Sequence, residues 1–274
     1  MIVFPNAKIN LGLHVLSKRA DNFHNLETLM VPIGLCDILE FLPSTGTDTS
    51  FKVSGIPISG EMQENLVYKA YLILKDLYHL PELRIHLHKI IPSGAGLGGG
   101  SSDAAFMLTG LDKMFGLNLS HDELKHHAAN LGSDCSFFIT NVPALATGKG
   151  EILVPSENYL KGHKVLLFFP GFPVSTAEAY QGVVPFSQRE SLTLTLEKGI
   201  SNWKKELVND FEKSVFEKHP AIVELKKKLY NYGAVYVSMS GSGSSVFGIF
   251  DKNFKTPEDL KINLIWEGTI ASKP

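Results

Sequence analysis

Cysteine is scarce in this chain. Cys36 and Cys135 are the only two in 274 residues, and they form no CxxC or metal-ligand spacing. A disulfide framework and a cysteine-based metal site are therefore excluded as organising features, and the usage fits a reducing compartment. No apolar run reaches the ~18 residues that would suggest a membrane-spanning helix. Charge of either sign is not in excess: 26 Lys and Arg face 28 Asp and Glu, for a formal net charge of −2. That withholds the basic surface a nucleic acid or an anionic membrane would need. The opening Met1-Ile2-Val3-Phe4-Pro5-Asn6-Ala7-Lys8 lacks a charged segment followed by an apolar one, so no secretory signal is expected. No internal repeat is present. With 44% hydrophobic and 20% charged residues, the composition is that of a globular protein of one or two domains. The expectation is a cytoplasmic protein with neither nucleic-acid nor membrane partners.

Glycine is what the chain concentrates. Five of the seven residues from 94 to 100 are glycine, within Pro92-Ser93-Gly94-Ala95-Gly96-Leu97-Gly98-Gly99-Gly100-Ser101-Ser102-Asp103. Glycine reaches positive φ freely, so backbone N–H groups can converge on an anion. Ala104, Ala105, Leu108, Leu111 and Phe115 follow at helical spacing. A glycine loop therefore opens onto a helix N-terminus, with Ser101 or Ser102 as the expected cap, and such a place binds phosphate. No lysine follows the glycines, which rejects a Walker A loop. Residues 94–99 do satisfy G-x-G-x-x-G. The acid expected ~20 residues on falls in Ser120-His121-Asp122-Glu123, which reads as a helix start, so a dinucleotide fold is a poor match. The protein-kinase motifs are missing too.

Along the rest of the chain, Ile9, Leu11, Leu13 and Val15 alternate with Asn10, Gly12 and His14, which predicts a half-buried strand. Strand-like runs follow near 26–33, 37–42 and 51–54. Residues 64–77 read as a helix. Leu83, Ile85 and Leu87 alternate as a strand into the glycine loop. Ser120 to Glu123 is a capping box for a helix to Leu131. A second unit begins after Gly150, giving domains at 1–150 and 151–274. It holds a buried strand at 164–169, a short helix at 175–180, helical segments over 193–216 and a helix from Pro220 to Gly233. Strands at 234–239 and 245–250 flank Ser240-Gly241-Ser242-Gly243-Ser244. Strands and helices mix without a βαβ repeat, so the class is α+β.

Phosphoryl transfer needs charge neutralisation and a held nucleophile more than covalent chemistry. Three segments can supply them. Lys8 and Asn10 share one strand face. Asp134 lies in Gly132-Ser133-Asp134-Cys135-Ser136-Phe137. Gly241-Ser242-Gly243 forms a second small-residue loop. Each alone reads as a solvated lysine, a turn acid or a hairpin.

Together, with the string Pro-x-Gly-x-Gly-Leu-Gly-Gly-Gly-Ser-Ser-x-Ala-Ala, they resemble the three motifs of the GHMP kinases in the right order. Ala7-Lys8-Ile9-Asn10-Leu11-Gly12-Leu13, then Arg19-Ala20-Asp21-Asn22-Phe23-His24-Asn25-Leu26, with Glu64-Asn65-Leu66, Gly148-Lys149-Gly150-Glu151 and Asn209-Asp210-Phe211-Glu212, are similar to the 4-diphosphocytidyl-2-C-methyl-D-erythritol kinase family. That resemblance implies two lobes, an S5-like N-terminal domain and a ferredoxin-like C-terminal domain. It implies ATP-dependent phosphorylation of the 2-hydroxyl of a cytidine-diphosphate-linked methylerythritol, in the non-mevalonate route to isoprenoids, with Mg²⁺. Carried over, Lys8 and Asp134 are the catalytic residues. Asn65, Leu66, Lys89, Pro92, Ser93 and the residues Gly94, Ala95, Gly96, Leu97, Gly98, Gly99, Gly100, Ser101 and Ser102 bind ATP. Asn10, Phe23, His24, Tyr180, Gly241, Ser242 and Gly243 bind substrate, the aromatic rings holding cytosine. Asn22 and Phe23 replace the family's usual Gly and Tyr, Asp103 its usual Asn, and Cys135-Ser136 its usual Val-Pro. Asp103 brings a negative charge near the phosphates unless it faces Mg²⁺ or caps the helix. Rival readings are homoserine or mevalonate kinase, a non-catalytic nucleotide sensor on the same fold, and an S5-like RNA-binding module.

Overall fold

The structure is a computed structural model and describes residues 1–270. Helices and strands mix as the α+β reading expects, in two compact units. The first comprises Met1–Ala7, Gly34–Ser93 and Gly98–Asn141; the second comprises Lys8–Ile33, Gly94–Leu97 and the described residues from Val142.

The first unit is built on a sheet with strands in the order Ile2–Val3, Ile38–Pro43, Leu83–Lys89, Ser50–Gly55, the last pairing being parallel. Leu83, Ile85 and Leu87 are buried while Arg84 is exposed, as the alternation requires. Helix Leu66–Tyr78 starts at Asn65, whose side chain accepts the Val67 N–H at 2.9 Å. Helix His121–Ala129 starts at the Ser120–Glu123 capping box. Helix Gly99–Phe115 buries Ala104, Ala105, Met107, Leu108 and Leu111 along one stripe. Its N-cap is Gly98, with no side-chain cap bond, and neither Ser101 nor Ser102 takes that role. Both lie inside the helix, because Gly98 adopts the left-handed conformation and the helix begins at once. A short helix, Cys135–Thr140, follows Asp134. The sequence does not announce it, since five consecutive buried residues carry no helical period.

In the second unit, residues of the long strands Asn6–Lys18 and His24–Cys36 pair and continue through Ala144–Thr147 to Ile152–Pro155. The first strand is not half-buried. Asn10 and His14 are buried as fully as Ile9 and Leu11. Leu192 and Leu207 pack directly onto Gly12, leaving no room for a Cβ. The other sheet runs Tyr236–Met239, Val246–Phe250, Lys164–Phe168, Leu264–Thr269, all antiparallel. Leu166, Phe168, Val237, Met239, Val246 and Phe250 share a core with Phe211 and Val215 of helix Phe211–Lys218 and Ile222 and Leu229 of helix Pro220–Asn231. Burial of such apolar side chains is the main stabilising term, about 25 cal/mol per Å².

Candidate functional site

In the second unit, the four residues Gly94–Leu97 have every carbonyl engaged. Gly94 O accepts from Val174 N at 3.1 Å, Ala95 O from Ser245 N at 3.2 Å and Leu97 O from Lys8 N at 3.0 Å. Gly96 O accepts from both Lys8 Nζ, 3.1 Å, and Ser240 Oγ, 2.9 Å. Ala95 and Leu97 are buried anchors, while Gly94 is exposed and φ is positive at Gly94 and Gly96. With its acceptors taken, the segment has donors left to offer, and that selects for an anion.

The first unit has backbone donors of its own. The first intrahelical bond of Gly99–Phe115 runs from Ser102 N to Gly98 O, 2.9 Å. The preceding N–H groups, at Gly99, Gly100 and Ser101, meet no capping side chain. They form the positive end of a 17-residue helix. Pro92 is buried and Ser93 exposed just ahead of this loop. The Leu66 side chain lies against Gly100, 3.9 Å from where a Cβ would stand. Asn65 is held in its capping bond.

Lys89 and Asp103 meet in this unit. The Lys89 ammonium bonds to Asp37 and, at 2.7 Å, to Asp103. Asp103 is thus turned inward to an ammonium; it does not cap the helix. Asp134, half-buried, is the N-cap residue of Cys135–Thr140. A Cβ on Gly132 would touch Cys135 Sγ at 3.4 Å and Ser101 Oγ at 3.9 Å, so the turn at Gly132 lies against Ser101. Burial pushes the Cys135 thiol up to about 11, partly opposed by the Ser101 hydroxyl and reinforced by the Asp134 charge.

Lys8 and Asn10 are joined in the second unit: Lys8 Nζ donates to Asn10 Oδ1 at 2.5 Å. Asn10 Nδ2 donates to Thr28 Oγ1 at 3.1 Å, and Asn10 N to Ser240 Oγ at 3.2 Å. Lys8 is only 4% exposed, so its ammonium position is fixed by these bonds. Gly241 lies against the same asparagine, 3.0 Å from Oδ1 to its would-be Cβ. Ser242 Oγ faces Thr176 Oγ1 at 3.5 Å, and Gly243 lies over Met239.

The three aromatic candidates divide. His24 stacks on Tyr180, with centroids 4.6 Å apart and planes 16° from parallel. The Tyr180 ring meets Phe211 edge-on at 4.8 Å. Phe23 is 57% exposed, with the Lys149 ammonium 4.7 Å from its ring centre. Burial, helped by the Lys18 charge, holds the His24 imidazole below its usual value.

The family model for the GHMP kinases N terminal domain matches residues 65–149, and that for the GHMP kinases C terminal matches 191–260. The chain belongs to the GHMP kinases. A "4-diphosphocytidyl-2-C-methyl-D-erythritol kinase" of Bacteroides thetaiotaomicron is 52% identical to it over 94% of this chain and 95% of that protein. One of Azobacteroides pseudotrichonymphae is 53% identical over 93% and 95%. A crystal structure of "4-(cytidine 5'-diphospho)-2C-methyl-D-erythritol kinase" superposes with a TM-score of 0.77 at 35% identity, covering 91% of this chain and 90% of that one.

Two features of this GHMP kinase escape a reading of its motifs. Asn209 was legible as part of a pattern, but its work was not. Its Nδ2 donates to the carbonyls of Met239 and Gly241, both at 2.9 Å, and so braces the second small-residue loop. Glu212 adds an acceptor for Met239 N at 2.9 Å. Asp37 gave no signal of its own, being one acid at the start of a strand-like run. Among the described residues no group of three His, Cys, Asp or Glu side chains could hold a metal.

Proposed function

We propose that this GHMP kinase transfers the γ-phosphoryl group of ATP to the 2-hydroxyl of 4-diphosphocytidyl-2-C-methyl-D-erythritol, a step in the non-mevalonate route to isoprenoids. The observation that carries it is the glycine segment, whose carbonyls are all engaged and whose donors continue into an uncapped helix start. The ATP phosphates lie on residues 94–102, with Leu66 and Asn65 towards the adenine. The sequence divides by role into an ATP-binding part, 1–150, and a second part, 151–274; the two family matches fall on either side of that line, which supports it. The setting is cytoplasmic.

Asp134 takes or orients the proton of the attacking hydroxyl. The Lys8 ammonium stabilises charge on the transferring phosphoryl and is aimed by Asn10. Asn10, Gly241, Ser242 and Gly243 position the substrate. Phe23, His24 and Tyr180 hold the pyrimidine. A neutral His24 suits that task, since an imidazole with one donor and one acceptor nitrogen can read a pyrimidine edge. Mg²⁺ takes most of its ligands from phosphates and water and only one or two from protein. Ser102 fits that need, for its hydroxyl is buried beside the helix start without a hydrogen-bond partner. When bound, the ion supplies neutralisation of phosphate charge.

The test is ADP release with the cytidine-linked methylerythritol diphosphate, beside homoserine and mevalonate. Turnover with the cytidine substrate alone is expected. Turnover with either competitor instead, or none with any, overturns the reading.

A further inference from the structure

A buried cluster joins the strand before the glycine segment to the helix after it. Asp37 is wholly buried between His24–Cys36 and Ile38–Pro43. Its Oδ1 accepts from Ile90 N at 2.5 Å and Ile91 N at 2.8 Å. Its Oδ2 accepts from Lys89 Nζ, which reaches on to Asp103 Oδ2 in the helix Gly99–Phe115. Lys89 and Asp103 are 3% and 2% exposed. The ammonium also lies against the first residue of the helix, 3.3 Å from where a Cβ on Gly99 would stand. One carboxylate therefore fixes the chain just before the segment, and through one ammonium it fixes the helix into which the segment runs.

The cluster carries two carboxylates for one ammonium. Asp103 Oδ1 is buried with no hydrogen-bond partner. An unpartnered carboxylate oxygen in the interior is costly, and a proton on it removes the excess charge. Burial raises Asp103 to about 7 against the pull of Lys89, with Asp37 adding to the rise. Burial works against the Lys89 charge too, but the charges of Asp103 and Asp37 outweigh it and keep it an ammonium.

We propose that Asp37, Lys89 and Asp103 are positioning residues for phosphoryl transfer, setting the spacing of the two ends of the glycine segment and thereby the affinity for the triphosphate. This rests on the reading that the ATP phosphates lie on residues 94–102. Donors must stand ~3 Å from phosphate oxygens, and displacement of about 1 Å can cost two orders of magnitude. The expected nucleotide contribution of Lys89 is thus indirect, through the two carboxylates that engage it.

The experiment is steady-state kinetics in both substrates, with thermal melts, for Asp103→Ala, Asp103→Asn and Gly98→Val. Asp103→Ala raises KM for ATP about ten-fold and moves kcat and the second KM less than about two-fold. Asp103→Asn restores most of the ATP affinity, because its amide oxygen still accepts from Lys89. Lys89 and Asp37 are the charged groups that face Asp103. Unchanged ATP affinity in a folded Asp103→Ala protein overturns the proposal. So does a loss shared equally by both substrates and tracking the melting temperature. Gly98→Val separates the two levels: if it too leaves ATP affinity intact, the phosphate reading itself is wrong.

Discussion

The carbonyl oxygen of Ser240 occupies the place where a Cβ on Gly96 would stand. Two backbones meet there, and Gly96 has φ of +75° as well. Neither can retreat cheaply, because Ser240 Oγ also bonds to Gly96 O and Gly96 O holds Lys8. Gly96→Ala is therefore expected to cost at least ~2 kcal/mol, as strain plus a backbone overlap. Turnover is expected to fall further than stability, since the shift is passed straight to Lys8. Denaturant melts and kcat in one variant check this. A variant of parent stability and activity would show that the two loops are not held together.

Asp134→Asn and Lys8→Met should each reduce turnover by at least ~10²-fold, the range for a proton-transfer or charge-stabilising group. Both should still bind ATP, with the methionine keeping the apolar stem of Lys8 in place. Single-turnover kinetics beside calorimetric ATP titration measures the two separately. Near-parent turnover in Asp134→Asn removes that residue from the chemistry.

Phe23 and Tyr180 should behave differently although both face the pyrimidine in the proposed reading. Each alanine replacement is expected to cost ~1–3 kcal/mol in binding of the cytidine substrate, the range for base stacking. Phe23 is mostly exposed, so Phe23→Ala leaves the melting temperature unchanged. Tyr180 packs against the second unit's core and on Phe211, so Tyr180→Ala lowers it too. Parent affinity for the cytidine substrate in Phe23→Ala would take that ring out of the site.

Stability should carry the mark of Asp103. Its value in the fold, about 7, stands above the reference 3.8, so the folded protein holds a proton that the unfolded chain has released between those values. The stability so contributed is full below the lower value, declines as pH rises and is gone above the higher one. Asp103→Asn escapes this loss. The melting temperature of the variant should gain on that of the parent as pH goes from about 5 to about 8. A constant gap would mean that Asp103 ionises as it does in the unfolded chain.

Much of the fold and the order of the motifs could be read from local chemistry. Helix Leu66–Tyr78 is announced by the apolar spacing of Leu66, Ala70, Ile73 and Leu77, and His121–Ala129 by Ser120 with Glu123, a cap that acts over three residues. Strand Leu83–Lys89 is announced by its alternation. Strands Ala144–Thr147, Ile152–Pro155 and Leu264–Thr269 were not legible, being short or lacking a period of two. The full burial of Asn10 and His14 was hidden because the leucines covering that face come from near residues 192 and 207. The candidate site was legible at the glycine segment 94–100, where Gly94, Gly96 and Gly98 take the positive φ that glycine allows. It was not legible at Asp37, whose partners Lys89 and Asp103 lie far along the chain and meet it only once the sheet and helix have formed.

The Cys135 thiol, buried and raised to about 11, has a practical consequence. Alkylating reagents and mild oxidants act on the thiolate, and this one is both hidden and protonated at neutral pH. A sulfur directly beside the proposed catalytic carboxylate is thus a silent passenger, and activity should survive maleimide treatment. Replacing the half-buried Cys36 would leave a background on which a single introduced cysteine could carry a fluorophore or spin label to any chosen surface position.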